Sequence, residues 1–329
     1  MIQNIQNQFR SSGRVFGLSK EAQPIVIAFA CIVVLLLIGS LYSSSFLSPT
    51  YLVQQLRVAS FLGVIATGSM IIILLGHIDL SVPWVLTTGA MMASAVAAMG
   101  AVGEVLAIPA GLACGAMLGL ISGIGVAYLR LPAMIVTLAV NTIAQGLMVT
   151  YTGGFSPDDS ASDAMRGLST GSLLFGLPNA ILVWTVVGVL AWFLLSKTTF
   201  GRKTYAIGNT ESAVYLSGVN LQRHLLIAFA LAGALSAFAG ILLAGYAGKA
   251  AQSMGDAYLL PAIASVVLGG TSILGGRGNY LGTIAGVILI TLLQSILSVM
   301  QMPEFGRQFI FGTVIITMLL IYGREKRRR

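Results

Sequence analysis

Long apolar stretches follow one another through this chain, with only short polar segments between them. A helix of about 20 apolar residues crosses the roughly 30 Å hydrocarbon core of a bilayer. Only helices and closed barrels satisfy all of their backbone hydrogen bonds within lipid. These stretches are continuously apolar instead of alternating, which favours helices. We predict ten spans, at residues 24–44, 51–75, 84–101, 103–129, 132–152, 179–197, 225–247, 258–275, 280–300 and 305–323.

The composition supports an all-α integral membrane protein. Of the 329 residues, 57% are hydrophobic and 9% are charged, and the mean hydropathy is +0.92. Soluble proteins carry about 25% charged residues, so this chain lacks the polar surface that water requires. The 39 glycines suit close packing of membrane helices. We therefore predict a polytopic bundle of about ten transmembrane helices, with 24–323 as one transmembrane domain.

The basic residues predict the orientation, because short cytoplasmic loops carry an excess of Lys and Arg. With the N-terminus inside, all of the 18 Lys and Arg residues fall on the inner side except Arg57, Arg166, Lys249 and Arg307. Both termini are then cytoplasmic, as a segment at 1–23 and a basic tail at 324–329. This topology accounts for the net charge of +8 without a nucleic-acid partner. The tail suits contact with lipid headgroups, and no cleaved signal peptide is visible.

The longest polar interruption on the inner side is 198–224. Gly201 permits a turn, Arg202 suits the membrane surface, and Gly208 marks the end of one element. Residues 210–217 make about two helical turns with an apolar face, which favours docking into a groove on another protein; packing against the chain's own bundle is the alternative. Asn209 is a candidate cap for this short helix and Gly218 a candidate C-cap. The residues predicted to couple the chain to a partner are Gly201, Arg202, Gly208, Asn209, Glu211, Ala213, Leu216, Ser217 and Gly218.

The largest outer loop, 153–178, is rich in acids, serines and glycines, which predicts an ordered surface loop or a short interfacial helix. Its acidic residues either bind a basic partner or are only solvated.

Polar residues near span ends and inside spans are candidates for a solute pathway. Asp79 and Ser81 follow a glycine, and either residue caps the next helix or lies beside a pathway. Residues 269–278 are too rich in glycine for a regular helix, which indicates a tight inner corner. Asn141 and Gln145 share one helix face, and either bond between helices or line a cavity. The predicted pathway residues are Asp79, Ser81, Asn141, Gln145, Thr271 and Gln294.

The sequence lacks the residue sets of familiar enzymes. It has no phosphate-loop motif with lysine, no paired histidines of a zinc protease and only two histidines, His77 and His224. Neither a nucleophile with its base nor a metal-ligand set can be assembled in the spans. We therefore predict a transport subunit that is not an enzyme, binds no metal or cofactor itself, and takes its energy from another subunit.

Four motifs in order resemble the permeases of ribose-type ABC importers, over about residues 60–300. Residues 76–82 resemble their GGIDLSVG signature, and 131–138 their PxFIVTLG segment. Residues 200–219 resemble their FGR…AIG…LSGI loop, and 263–283 their IAAVVIGGTSxxGGRG block. The resemblance implies a type II-like importer permease with ten spans that pairs with a second copy or a related permease. It also implies a cytoplasmic ATPase subunit, which uses ATP and Mg²⁺ and binds at 198–224, and a periplasmic solute-binding protein.

Four residues depart from the family pattern. His77 and Pro83 replace glycines, and Leu259 and Pro261 stand where many members have Glu and Asp. The resemblance implies import of a monosaccharide or polyol across the inner membrane by alternating access. A nucleoside, a branched-chain amino acid or a signalling furanose remain alternative solutes, and an ion-coupled secondary transporter is an alternative of another class.

Overall fold

A computed structural model describes residues 23–157, 159–174, 176–210, 214 and 217–327. Its first five helices are α1 (Gln23–Tyr42), α2 (Pro49–Leu74), α3 (Val82–Ala97), α4 (Ala101–Ala127) and α5 (Ala133–Thr152). The next are α6 (Asp163–Thr170), α7 (Asn179–Lys197), α8 (Thr199–Asn209), α9 (Leu221–Ala247), α10 (Leu259–Leu268), α11 (Tyr280–Val299) and α12 (Glu304–Arg327). Short 3-10 turns lie at Ser44–Leu47 and Asp256–Tyr258. Strands β1 (Ser172–Leu174) and β2 (Leu177–Pro178) form an antiparallel hairpin, with Leu174 opposite Leu177.

Each of the ten predicted spans corresponds to a helix, which confirms the helical polytopic fold. Within the described residues, seven helices are long and apolar enough to cross a membrane: α1, α2, α4, α5, α7, α9 and α11. Two of the predicted spans are shorter than expected. The 16 residues of α3 and the 10 of α10 reach about 24 Å and 15 Å at 1.5 Å per residue. The count of ten complete crossings therefore stays a prediction.

Helix α2 lies at the centre of the bundle. Every residue from Ala59 to Leu74 is buried, so the helix is enclosed on all sides over this length. Ser48 begins the helix, since its hydroxyl accepts from the Tyr51 N–H, and Pro49 occupies the first turn. A helix that is apolar all round belongs in the interior of a large bundle, so the other helices are placed relative to α2.

Helices α3, α4 and α9 approach each other closely at glycines. A Cβ atom on Gly233 of α9 would lie 2.3 Å from the Gly115 carbonyl oxygen of α4. A Cβ on Gly240 would lie 2.1 Å from the Leu86 oxygen of α3. Small residues at such contacts let membrane helices gain backbone-to-backbone packing in place of the hydrophobic effect. These three helices therefore form one rigid unit beside α2.

The loop at 153–178 is ordered, as the sequence indicates. It carries α6, whose first-turn N–H groups are capped by two side chains. Ser162 Oγ accepts from the Met165 N–H, and Glu104 Oε1 accepts from the Asp163 N–H at 2.7 Å. Ser169 donates to the Leu242 carbonyl of α9 at 2.6 Å. The loop is thus fastened across the end of the α3–α4–α9 unit.

Candidate functional site

The stretch 198–224 is folded back on itself. Thr198, in extended backbone, separates α7 from α8, and its hydroxyl accepts from the Gly201 N–H. Thr204 Oγ1 lies 2.9 Å from Nε2 of His224 in the first turn of α9, and the Phe200 ring stacks on the same imidazole at 4.5 Å. Arg202 on the opposite face is exposed. Gly201 itself lies inside α8, and the break between the two helices falls at Thr198. The contacts with His224 fasten α8 to α9.

Gly201 and Gly208 both serve close approach inside α8. A Cβ on Gly201 would lie 2.0 Å from the Leu195 carbonyl oxygen, so the glycine lets α8 fold against the end of α7. A Cβ on Gly208 would lie 1.9 Å from the Leu74 oxygen and 2.5 Å from the Gly276 nitrogen. Helix α8 ends one residue later, at Asn209. Gly208 is therefore the point at which three segments of the chain meet.

Asn209 bonds through its side chain to carbonyl groups on two segments, and its predicted cap of the helix after it stays a prediction, because residues 211–213 lie outside the described residues. Its side-chain nitrogen donates to the Tyr205 carbonyl at 3.0 Å and to the Gly276 carbonyl at 3.1 Å, so the amide acts as a donor to carbonyls. The Gly276 N–H in turn donates to the Leu74 oxygen at 2.9 Å, and the Tyr205 hydroxyl donates to the Gly278 oxygen at 2.9 Å. Leu74, Tyr205, Gly208, Asn209, Gly276 and Gly278 together form what we call the inner junction.

Much of the predicted short helix at 210–217 lies outside the described residues, including Glu211, Ala213 and Leu216. Val214 is helical, buried, and donates its N–H to the Thr210 oxygen at 3.3 Å. The Ser217 N–H donates to the Val214 oxygen, and Gly218 has a φ of +74°. A left-handed glycine suits the end of a helical turn, so the described residues agree with the predicted C-cap.

Asp79 and Ser81 lie together in the buried turn between α2 and α3. Gly76 leaves α2 with a φ of +82°. Asp79 Oδ1 then accepts from the Ser81 N–H at 2.8 Å and from the Ser81 hydroxyl at 2.6 Å. Asp79 is only 7% exposed. Of the two residues that could cap α3, Ser81 occupies the cap position without a side-chain cap bond.

Helix α5 holds this turn in place. Thr137 Oγ1 accepts from the Leu80 N–H at 2.9 Å, and Asn141 Oδ1 accepts from the Trp84 N–H at 3.2 Å. Asn141 thus makes the interhelical bond that was one of its two predicted roles. Gln145, one turn further along, is exposed and is not brought to that contact. Thr137 lies within the 131–138 motif but not among the predicted pathway residues, although its spacing of four residues from Asn141 puts it on the same helix face.

Thr271 and Gln294 lie in different places. Thr271 is fully buried just beyond α10, and its hydroxyl has no partner among the described residues. The loop it begins contacts the turn after α2, because a Cβ on Gly275 would lie 2.8 Å from the Gly76 nitrogen. Gln294 is half-buried near the far end of α11. The predicted pathway residues therefore do not form one cluster.

This arrangement is that of a helical, multi-pass permease with a structured loop fastened to its central helix. The chain belongs to the family described as branched-chain amino acid transport system/permease component, whose profile matches residues 51–319. It is 35% identical over 300 residues to the ribose import permease of Haemophilus influenzae, covering 89% of this chain and 91% of the relative. It is 37% identical over 301 residues to the ribose import permease of Bacillus subtilis, with the same coverage.

A third relative carries a different name. The autoinducer 2 import system permease of Yersinia pestis is 34% identical over 267 residues, which cover 81% of this chain and 75% of the relative. The resemblance drawn from the four motifs is confirmed by these matches, and the chain is a membrane transport subunit.

Proposed function

We propose that this chain is the permease subunit of an ABC importer that moves a monosaccharide or polyol across the bacterial inner membrane. Similarity to ribose import permeases over about nine-tenths of the chain carries this proposal. The energy comes from a separate cytoplasmic subunit that uses ATP and Mg²⁺, and a periplasmic binding protein delivers the solute. A second permease copy, identical or related, completes the pathway.

In this proposal both termini are cytoplasmic, and 198–224 receives the ATPase. Closure of the ATPase pair displaces the segment at 210–217, which follows α8 in the sequence. Because Gly208 has no room for even a Cβ atom against Leu74 and Gly276, α8 transmits that displacement to the inner end of α2. The Asn209 and Tyr205 hydrogen bonds transmit it to the 269–278 loop at the same time.

The two loops that meet at the inner junction support an alternating pathway. Non-helical backbone at membrane depth is tolerated only where protein buries it or where it lines a watery cavity. Helix α10 covers about half of the hydrocarbon thickness, so the glycine-rich loop after it crosses the remainder. Asp79, Ser81, Asn141 and Thr271 stay proposed pathway residues on this inner half, and Gln145 and Gln294 stay proposed pathway residues elsewhere.

Reconstitution tests the proposal. Proteoliposomes that contain this chain, its ATPase and its loaded binding protein are expected to take up solute only with ATP. Uptake by the chain alone, driven by a proton or sodium gradient, would contradict the importer assignment. A matched pair of variants tests coupling: Gly208→Ala is expected to separate ATP hydrolysis from uptake, whereas Ala206→Ser, on the exposed face of α8, is expected to behave as the wild type.

The relative named for autoinducer 2 supports a second candidate solute, a signalling furanose. Uptake measured with D-ribose and with autoinducer 2 in the same proteoliposomes separates the two. Preference for D-ribose supports the first candidate and preference for autoinducer 2 the second.

A further inference from the structure

A groove runs along the side of the bundle between α4 and α9. Its volume is about 550 Å³. The residues that line it are Leu120, Arg223, Leu226, Ile227, Ala230 and Leu231. Those from α9 are spaced three and four positions apart, so they share one helix face. A Cβ on Gly119 would lie 2.2 Å from the Phe229 carbonyl oxygen, so the two backbones touch immediately beside Leu120 and Ala230. The groove is therefore the angle left open beside this contact.

The walls of the groove are apolar apart from Arg223. Leu120 is 38% exposed and Ile227 is 56% exposed, although both lie in helices that are long and apolar enough to cross a membrane. From Arg223 to Leu231 the groove extends about 12 Å along the axis of α9. One leaflet contributes roughly 15 Å to the hydrocarbon core. The length of the groove therefore suits one acyl chain of a single leaflet.

Arg223 lies at the end of the groove that is nearest to the membrane surface. It is in the first turn of α9, which begins at Leu221. As α4 proceeds, its glycines contact earlier residues of α9: Gly115 lies against Gly233, and Gly123 lies against Leu226. The two helices are therefore antiparallel, and the last turn of α4 is level with Arg223.

This level matches the depth of lipid headgroups. Tyr128 directly follows α4 and is 56% exposed, and tyrosines are enriched where the membrane meets water. Arg223 is exposed as well. Its guanidinium forms no ion pair or hydrogen bond with the part of the chain that the structure describes, since only its backbone N–H is bonded, to Asn220. Guanidinium groups bind phosphate through two parallel hydrogen bonds, so a lipid phosphate suits this end of the groove.

We propose that the groove binds one anionic phospholipid, with its phosphate on Arg223 and one acyl chain along Leu226, Ile227 and Ala230. An occupant with one charged end and an apolar body matches walls that are charged at one end and apolar elsewhere. The proposal goes beyond the proposed function and takes only the orientation from it, which assigns the lipid to the inner leaflet. The lipid then lies beside the joint between α8 and α9, because the next residue, His224, bonds to Thr204.

The test uses the purified full-length chain in detergent, titrated with phosphatidylglycerol or with phosphatidylcholine of the same acyl chains. Native mass spectrometry gives the dissociation constant of the first bound lipid. We expect the wild type to prefer phosphatidylglycerol by about fivefold, the scale of one basic residue acting on an anionic lipid. Arg223→Gln is expected to remove this preference. Ala230→Leu, which narrows the groove, is expected to weaken the binding of both lipids.

Arg130→Gln is the matched control. Arg130 is exposed just beyond the same end of α4 and does not line the groove, and its replacement removes the same charge. We expect this variant to keep the preference of the wild type. An equal loss in Arg130→Gln and Arg223→Gln would mean that diffuse charge attracts the lipid, and would overturn the proposal.

Two further outcomes would also overturn it. The first is unchanged lipid binding in both groove variants; where Ala230→Leu does not fold, Ile227→Gln replaces it, because Ile227 is exposed. The second is efficient disulfide cross-linking between two Ile227→Cys chains that lack Cys31 and Cys114, which would place a second copy in the groove. These measurements need no solute or ATPase, so failure of the importer assignment would leave them unchanged.

Discussion

At the scale of single residues, variants of Asp79 show whether its carboxylate stabilises the fold or acts on the solute. Its Oδ1 accepts both bonds that Ser81 donates. Asp79→Ala leaves these buried donors without that acceptor, which costs about 1–3 kcal/mol of stability. Asp79→Asn keeps an acceptor oxygen in the same place. We therefore expect thermal unfolding of the purified protein to shift downwards for alanine and little for asparagine.

Uptake by the same two variants separates the two roles of Asp79. If asparagine retains stability but abolishes uptake, the carboxylate charge acts on the solute or on the transport cycle. If Asp79→Ala keeps both its expression and its uptake, Asp79 serves only the turn between α2 and α3.

Asn141 shows how far residue-level reasoning reaches from sequence. Its helix face follows from spacing alone, and the residue type predicts a hydrogen bond. Its partner, the Trp84 N–H at the start of α3, depends on which helix packs against α5, and no local pattern encodes that. The same limit applies to Asn209: asparagine at a helix end is a common cap, but its bond to the Gly276 carbonyl depends on which loop packs against α8.

At the scale of elements, close packing at glycines predicts a sharp contrast between positions. Gly233→Leu forces apart α9 and α4, because a Cβ there already meets the Gly115 oxygen at 2.3 Å. We expect a loss of about 1–3 kcal/mol or more, measured as a lower midpoint of thermal unfolding. Gly146→Ala on α5 is the control: no atom apart from the backbone of its own helix and its chain neighbours lies within 4 Å of its Cβ position, and we expect a change within about 1 kcal/mol.

Equal effects of these two glycine variants would mean that helix propensity, and not helix approach, decides their stability. The glycine content alone predicts close packing in general. Which glycines lie at contacts depends on the pairing of α3, α4 and α9, which is a tertiary property.

The lengths of α3 and α10 belong to the same scale. Hydropathy locates both segments, because apolar composition marks them whether the backbone is helical or not. Hydropathy does not locate the helix ends. The predicted span runs to residue 275, whereas α10 ends at Leu268. The glycine-rich continuation gains its hydrogen bonds from the inner junction and from its own turns, such as Ser272 N–H to the Arg277 carbonyl at 2.8 Å. Those hydrogen bonds satisfy the backbone of this loop in place of helical ones.

At the scale of the whole molecule, the ten predicted spans and their predicted orientation specify which surfaces can be reached from each side of the membrane. Single cysteines are introduced after replacing Cys31 and Cys114 with alanine, and intact cells are treated with a membrane-impermeant maleimide. Leu173→Cys on β1 and Met99→Cys after α3 are expected to react from outside, since both side chains are exposed. Lys203→Cys on α8 is expected to react only after the membrane is opened.

Arg277→Cys is the deciding position, because it tests whether α10 and the loop after it cross together. Arg277 is exposed beside the inner junction, where Gly276 bonds to Leu74 and Asn209. We expect its cysteine to react like Lys203→Cys, only from the inner side. Reaction from outside would mean that this loop turns back within the membrane without reaching the cytoplasm. The inner junction would then lie on the wrong side to receive an ATPase, and the proposed route from α8 to α2 would fail with it.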